Sequence, residues 1–416
     1  MDTSRTMLTF CYNELPVTHK TCLHYLSIFP QDHIFRRPSI IRRWLSEGLV
    51  TSTGSMGTVR PGTDQHNKGS GSRRRRLVQL DEQAERVFDA LVARGFLRPE
   101  ETSAASKIKT CTMHHIVHEF IATDVSFINS CLPPDLAHRF SINNWIALDE
   151  ASPPPESDRP LHSLISLLGS LPGSDKWQLL KVLDLQDCKG LKKKHLKNIC
   201  KILLLKYLSL RNTDVTQLPR QIKKLQCLEI LDVRQTEIRA FPRKSILLPM
   251  LKQLLAGNKV SLSSSSTATT TDNSKSHRFE QSLATVRLPG STRRMKKLEI
   301  LSHVDASSNV DDLIDIGQLL HLRKLGVVLD GNQKTGGLAL LFQQIEKLQD
   351  CLRSLSIWIN QPAASEGTAP ETEQMAALAS PPKHLQSLKI TGITSGLPDW
   401  ITHLDQLSEI THPREA

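Results

Sequence analysis

From residue 180 onward apolar positions recur as Leu-x-x-Leu-x-Leu, with polar or mixed residues between them. The pattern begins at Leu180 (LKVLDL), Leu205 (LKYLSL), Leu228 (LEILDV), Leu251 (LKQLLA), Leu298 (LEILSH), Leu322 (LRKLGV), Leu352 (LRSLSI) and Leu385 (LQSLKI), with an incomplete copy at Leu407. Successive starts are 25, 23, 23, 47, 24, 30, 33 and 22 residues apart. The step of 47 is close to two periods and holds a Ser/Thr tract running from Ser261 to Thr271. Agreement extends past the leucines. Arg211-Asn212-Thr213-Asp214-Val215 returns as Arg234-Gln235-Thr236-Glu237-Ile238, and each copy reaches a bulky residue and proline, Leu218-Pro219 and Phe241-Pro242. Leu397-Pro398 repeats that ending.

Such a unit predicts a short strand whose alternate residues face inward, followed by a turn and an irregular or 3₁₀ segment that supplies further core leucines. One unit cannot bury its own leucines. Stacking about eight makes a continuous core, a curved solenoid and a parallel sheet on the concave face. Cys188 falls where a repeat places a small residue inward beneath its turn, so packing is its expected role.

The first 150 residues follow a helical period instead. Pro16 opens a helix carrying Leu23, Leu26 and Phe29, which Pro30 closes. Pro38 opens a second with the stripe Ile40, Ile41, Trp44 and Leu45, and Gly48 is placed as a left-handed end. Asp81 is the expected cap of a third through Ala84, Val87, Phe88, Leu91 and Val92, ended by Gly95. Phe96–Arg98 and Lys107–Met113 suit short strands, and Ile116, Val117, Phe120 and Ile121 line a fourth helix. Helices followed by a hairpin predict a small winged-helix domain. The fold class is thus α/β overall: a mostly α winged-helix domain at 1–150, then the solenoid at 160–416.

Three stretches break these patterns with Gly, Ser, Thr or Pro, namely 51–76, about 261–280 and 361–382, and each is expected as an unstructured insertion. Apolar residues at 39% fit a chain that is mostly folded around such segments. Lys and Arg number 53 against 42 Asp and Glu, much of the excess lying in the runs Arg73–Arg76 and Lys192–Lys194. A solvated face accounts for those runs. The eight cysteines form no Cys-x-x-Cys pair, so reduced thiols are expected rather than a zinc site or disulfide framework. No apolar run is long enough to span a bilayer, no signal-peptide core occupies residues 1–30, and no Asn-x-Ser/Thr acceptor occurs. His114 and His118 share a helix face, but no third ligand accompanies them, and no metal site is expected. No nucleophile elbow or paired-carboxylate motif points to an enzyme.

With LPVTHKTCLHYLSIFPQDHIFRRPSIIRRWLSEGLV at 15–50, LDEQAERVFDALVARGFL at 80–97 and CTMHHIVHEFI at 111–121, the N-terminal part resembles the winged-helix end of the nucleotide-binding module of plant disease-resistance proteins. The repeats after residue 160 lie where that nucleotide-binding, leucine-rich-repeat family carries them. The resemblance implies an ADP/ATP-gated immune switch that the repeats restrain. Its Met-His-Asp element matches Met113, His114 and His115, with His115 in place of the aspartate, so nucleotide contact is implied there. No Gly-x-x-x-x-Gly-Lys-Ser/Thr loop occurs, so ADP or ATP is expected only where an upstream nucleotide-binding domain is present, and this chain alone takes no cofactor. The start at Met1 and the stop inside a repeat read as part of a longer resistance protein or a truncated product.

What the resemblance implies for this chain is protein binding: to pathogen effectors, to a guarded host protein, or to a nucleotide-binding module in cis or trans. A cytoplasmic, nucleocytoplasmic or membrane-associated location follows. Outward positions of the concave sheet are the expected contacts: Lys181, Asp184, Lys206, Tyr207, Ser209, Glu229, Asp232, Arg323, Lys324, Arg353, Ser356, Gln386 and Lys389. A free-standing adaptor or decoy without a switch is the alternative. A second alternative is DNA binding through Arg36, Arg37, Arg42 and Arg43, since winged helices often set a basic helix in the major groove.

Overall fold

The structure, a computed structural model, describes residues 3–27, 29, 31–50, 70–102, 107–123, 179–242, 247–261, 281–290, 292–305, 309–330, 337–360, 381–391 and 399–411. Most of the three expected insertions, and Leu397-Pro398, lie outside the described residues. The chain divides into two compact units, one built on residues 1–166 with 179–182 and the other on 167–178 with 183–416.

In the first unit, α1 (Thr3–Asn13) is followed by α2 (Val17–Leu26), which starts directly after Pro16, where the proline's fixed φ and missing N–H cost nothing. β1 (Phe35–Arg36) leads into α3 (Arg37–Glu47), and α4 (Ser70–Ala93) leads into the hairpin of β2 (Leu97–Thr102) and β3 (Ile108–Met113). α5 (His115–Thr123) closes the unit. Sheet order is β1-β3-β2, antiparallel throughout, with Phe35 opposite Cys111 and Leu97 opposite Met113. This is the winged-helix arrangement.

Both α3 and α4 end as expected. Gly48 (φ 81) and Gly95 (φ 76) are left-handed, and the next residues, Leu49 and Phe96, donate N–H bonds back to Trp44 and Leu91. These are Schellman ends, which satisfy carbonyls the helix leaves unpaired. Ile40, Trp44, Ala84, Phe88, Leu91 and Ile121 meet in one core, each at most 2% exposed. Burying each large side chain contributes roughly 1.5–3 kcal/mol.

Four expectations change here. First, α2 ends at Leu26, capped at Ser27, and so stops short of Phe29. Asp81 lies inside α4 rather than at its cap, because the helix runs back to Ser70, into the stretch expected to be unstructured. Ile116 is exposed, since Val117 and Ile121, four apart, already define the buried face of α5. Finally, the strand β1 was not anticipated, its two residues being too few to show a period.

In the second unit all nine leucine motifs become strands, each starting two residues after its first leucine: β4 (Val182–Asp184), β5 (Tyr207–Ser209), β6 (Ile230–Asp232), β7 (Gln253–Leu255), β11 (Ile300–Asp305), β12 (Lys324–Asp330), β13 (Ser354–Asn360), β14 (Ser387–Thr391) and β15 (Glu409–Thr411). They form one ladder in chain order, and the pairs from β5 to β15 are parallel. The fourth motif position stays in register across the sheet, Leu208, Leu231, Leu254, Leu301, Leu325, Leu355 and Leu388, each at most 1% exposed. The chain returns on the other side through α6 (Lys193–Ile199), α7 (Val310–Ile316), α8 (Gly337–Glu346) and 3₁₀ turns such as Arg220–Lys224 and Thr292–Arg294.

The 47-residue step is one period with an excursion, not two. β7 pairs directly with β11, Gln253 opposite Ile300 and Leu255 opposite Ser302. Between them lie an antiparallel pair, β8 (Asn258–Ser261) with β9 (Gln281–Ala284), and the short β10 (Val286–Arg287), which pairs with the far end of β11 and bridges to Ala240 on its other side. A bulge in β11 turns His303 to φ 52 at that point.

Candidate functional site

The strand face opposite the leucine row carries the third and fifth motif positions, and the second position sits at the strand entrance. At the entrances, charges alternate across neighbouring strands. Glu229 pairs with Lys206 at 3.4 Å and Lys252 at 2.6 Å, and Glu299 pairs with Arg323. Lys206, Glu229 and Arg323, expected as recognition residues, are thus tied to one another. Sequence reasoning missed Lys252 and Glu299, although the alternation Lys206, Glu229, Lys252, Glu299, Arg323 was visible at the second motif position.

On the face itself Tyr207, Ser209 and Asp232 are buried, each at most 2% exposed, which corrects their placement on an open surface. Arg234 folds back onto Asp232, Nε to Oδ1 at 2.9 Å and Nη2 to Oδ2 at 2.5 Å, and the Tyr207 hydroxyl reaches Asp184 Oδ2 at 3.4 Å. Burial works against the Arg234 charge. The hydrogen bond and charge of Asp232, with Tyr207 and Asp184 nearby, outweigh it and hold the guanidinium pKa above its ordinary value. This end of the face is a self-satisfied polar cluster. Farther along, Lys324, Arg353 and Gln386 are exposed and Ser356 and Lys389 half-buried, as is Lys181 near the start of the sheet.

The element Met113-His114-His115 lies at the junction of β3 and α5. Met113 is buried at 3%, its apolar side chain fixing the strand end in the core. His114 and His115 are exposed with ring centroids 4.3 Å apart. His114 Nδ1 accepts the Ile116 N–H at 3.3 Å, so this imidazole caps the first turn of α5. His118 turns the other way, its Nε2 2.8 Å from the Phe29 carbonyl. Among the described residues no group of three His, Cys, Asp or Glu could hold a metal.

The arginines offered for DNA are largely engaged. Arg37 is 5% exposed, donating to Glu85 and Asp89 on α4 and lying over Phe88, while Arg43 lies 4.8 Å over Phe29. Arg36, on β1, is exposed, while Arg37 and Arg43 on α3 are turned to contacts within their own unit.

A family described as leucine-rich repeat region matches residues 161–271 and 280–412, more than half of the chain. The chain belongs to the leucine-rich-repeat family. Over nearly its whole length this leucine-rich-repeat chain is similar to plant disease-resistance proteins. It is 29% identical to Disease resistance protein Pik-2 of Oryza sativa subsp. japonica over 97% of its residues, covering 39% of that protein. With Disease resistance protein RGA4 of the same plant it shares 32% over 54% of the chain and 21% of the relative. With RGA5 it shares 26% over 87% and 30%. The chain therefore spans about two-fifths of the length of the first of these relatives.

The nucleotide implied by this resemblance can be tested against the residues present. His114 is exposed and holds its helix end through Nδ1, which leaves the ring edge bearing Nε2 turned away from that bond. One imidazole beside a helix end fits a single phosphate contact and does not make a nucleotide site by itself, which needs a backbone cradle. Among the described residues no helix of the leucine-rich-repeat chain is long and apolar enough to cross a membrane.

Proposed function

We propose that this chain is the winged-helix and repeat portion of a plant immune receptor and that it works by binding protein. The observation that carries the reading is the collinear similarity to disease-resistance proteins across 97% of the chain, winged-helix segment first and repeats after. The partner surface is the later part of the concave sheet, where Lys324, Arg353 and Gln386 are exposed, with Ser356 and Lys389 beside them. Its partners are a pathogen effector, a guarded host protein or the receptor's nucleotide-binding module. Catalysis belongs to that module and not to this chain, which acts in the cytoplasm as restraint and reader.

Capture of the chain by a separately expressed nucleotide-binding module of a plant disease-resistance protein, in leaf tissue, tests the restraint role. Capture is expected, and reversing Lys324, Arg353 and Lys389 to glutamate should remove it, because opposed charges govern encounter and register. Undiminished capture by the triple variant rules out this face. Absence of capture by the unaltered chain removes the docking role and leaves the free-standing adaptor.

A further inference from the structure

In five successive repeats the N–H of the leading leucine closes a tight turn on the carbonyl three residues earlier: Leu205 to Ile202, Leu228 to Leu225, Leu251 to Leu248, Leu298 to Met295 and Leu322 to Leu319, at 2.9–3.2 Å. Two residues stand at the tip of each turn. The following strands β5, β6, β7, β11 and β12 are consecutive neighbours, so the tips form one row along an edge of the sheet. At about 4.8 Å per strand the row is roughly 19 Å long.

Turn tips ordinarily carry Gly, Pro, Asn, Asp or Ser, which suit the backbone and solvent. This row departs from that rule. Leu203 is 50% exposed, Leu204 45%, Met250 41% and Leu320 61%. Packing does not require them, since the core is filled by the flanking leucines. Lysines border them: Lys201, Lys223, Lys224 and Lys296 are exposed, and Lys297 Nζ lies against Met250 Sδ. No acidic residue stands at any of the five tips.

We infer that this edge rests on an anionic membrane surface, its leucines and methionine entering the interfacial layer while its lysines meet lipid headgroups. Two features favour lipid over an acidic protein or a nucleic acid. The cations at the tips themselves, Lys296 and Lys297, are lysines, as are Lys201, Lys223 and Lys224 just before the first two turns, with Arg293 and Arg294 in that place at the fourth; lysine is a flexible point charge suited to a diffuse anionic plane. Apolar tips among the cations give the mixed character of interfacial anchors. Each contribution is modest, so attachment is reversible and needs both.

The test is flotation of the full chain with vesicles of phosphatidylcholine, with and without phosphatidylserine. Flotation is expected with phosphatidylserine only and should fade as salt rises. Lys296→Ala with Lys297→Ala should lower partitioning about thirtyfold, the effect of two charges at such a surface. Leu203→Ser, Leu204→Ser and Met250→Ser together should abolish it at low salt. These substitutions sit at exposed tips, so unchanged melting curves confirm folded variants. No flotation by the unaltered chain overturns the inference. So does flotation that the serine variant retains, which would mark a generic polycation. A dimer that the serine variant dissolves, without flotation, would assign the edge to self-association and also overturn it.

Discussion

Replacing Arg37 with methionine removes one guanidinium that ties α3 to α4 while keeping a side chain of similar length. Arg37 donates through Nε to Glu85 at 2.6 Å and through Nη1 and Nη2 to Asp89 at 2.6 and 2.9 Å, and its guanidinium carbon lies 4.7 Å from the Phe88 ring centre. Burial opposes its charge, yet the two carboxylates hold its pKa above the ordinary value. Deleting one partner of a fully buried pair costs about 3–5 kcal/mol, mostly by stranding the other charge. Here Glu85 and Asp89 keep 37% and 56% of their side chains exposed, so they regain water. The cost therefore falls to about 2 kcal/mol, and lost ring contact is part of it. Hydrogen exchange read by mass spectrometry is the assay. Peptides from Arg37–Glu47 and Leu80–Ala93 should exchange about thirtyfold faster, and peptides from the repeats should not change. Unchanged protection in α3 would show that the ion pair contributes nothing and that apolar packing alone holds the two helices.

Three further outcomes are expected. A Cβ on Gly326 would lie 2.7 Å from the His303 backbone nitrogen, so Gly326→Ala should destabilise the repeats by about 1–3 kcal/mol, read as a lower urea midpoint; an unaltered midpoint would show that the bulge can shift. His195 is buried and accepts the Lys192 N–H through Nδ1, and burial, then Lys194 and Lys192, lower its pKa. The unfolded chain thus binds a proton that the folded one resists, so stability is full above about pH 6.5 and declines as pH falls below it. His195→Gln should flatten that decline, and an equal slope in the variant would place its origin elsewhere. Burial above all pushes the thiols of Cys111 and Cys200 up to about 12, while Cys227 is half-buried. Iodoacetamide at mildly alkaline pH should label Cys227, and the similarly half-buried Cys11, before Cys111 and Cys200, and early labelling of Cys111 or Cys200 would contradict their enclosure.

The solenoid was legible because its signal is a steric one. A strand that buries every second side chain against a shared core must repeat its leucines, and each of the nine motifs duly starts a strand two residues in. Gly48 and Gly95 were legible because no other residue takes a left-handed helix end so cheaply. The start of α4 was not, since Ser70–Leu80 lacks the apolar stripe that marks the later turns and Asp81 offers a plausible cap. The binding face was half legible. Period two says that Tyr207, Ser209 and Asp232 point away from the leucines, but not that Arg234 and Asp184 close over them. That closure depends on side chains one repeat apart or returning from a turn, beyond what a local pattern encodes.

The direct pairing of β7 with β11 separates the length of the chain from the regularity of the solenoid. Lengthening a loop adds little closure cost, about 0.6 kcal/mol per doubling. Residues between Ser261 and Gln281 can therefore be gained, lost or replaced without shifting any later repeat by one position. The scaffold contains a splice point at which new sequence can be tried while the remaining strands keep their partners.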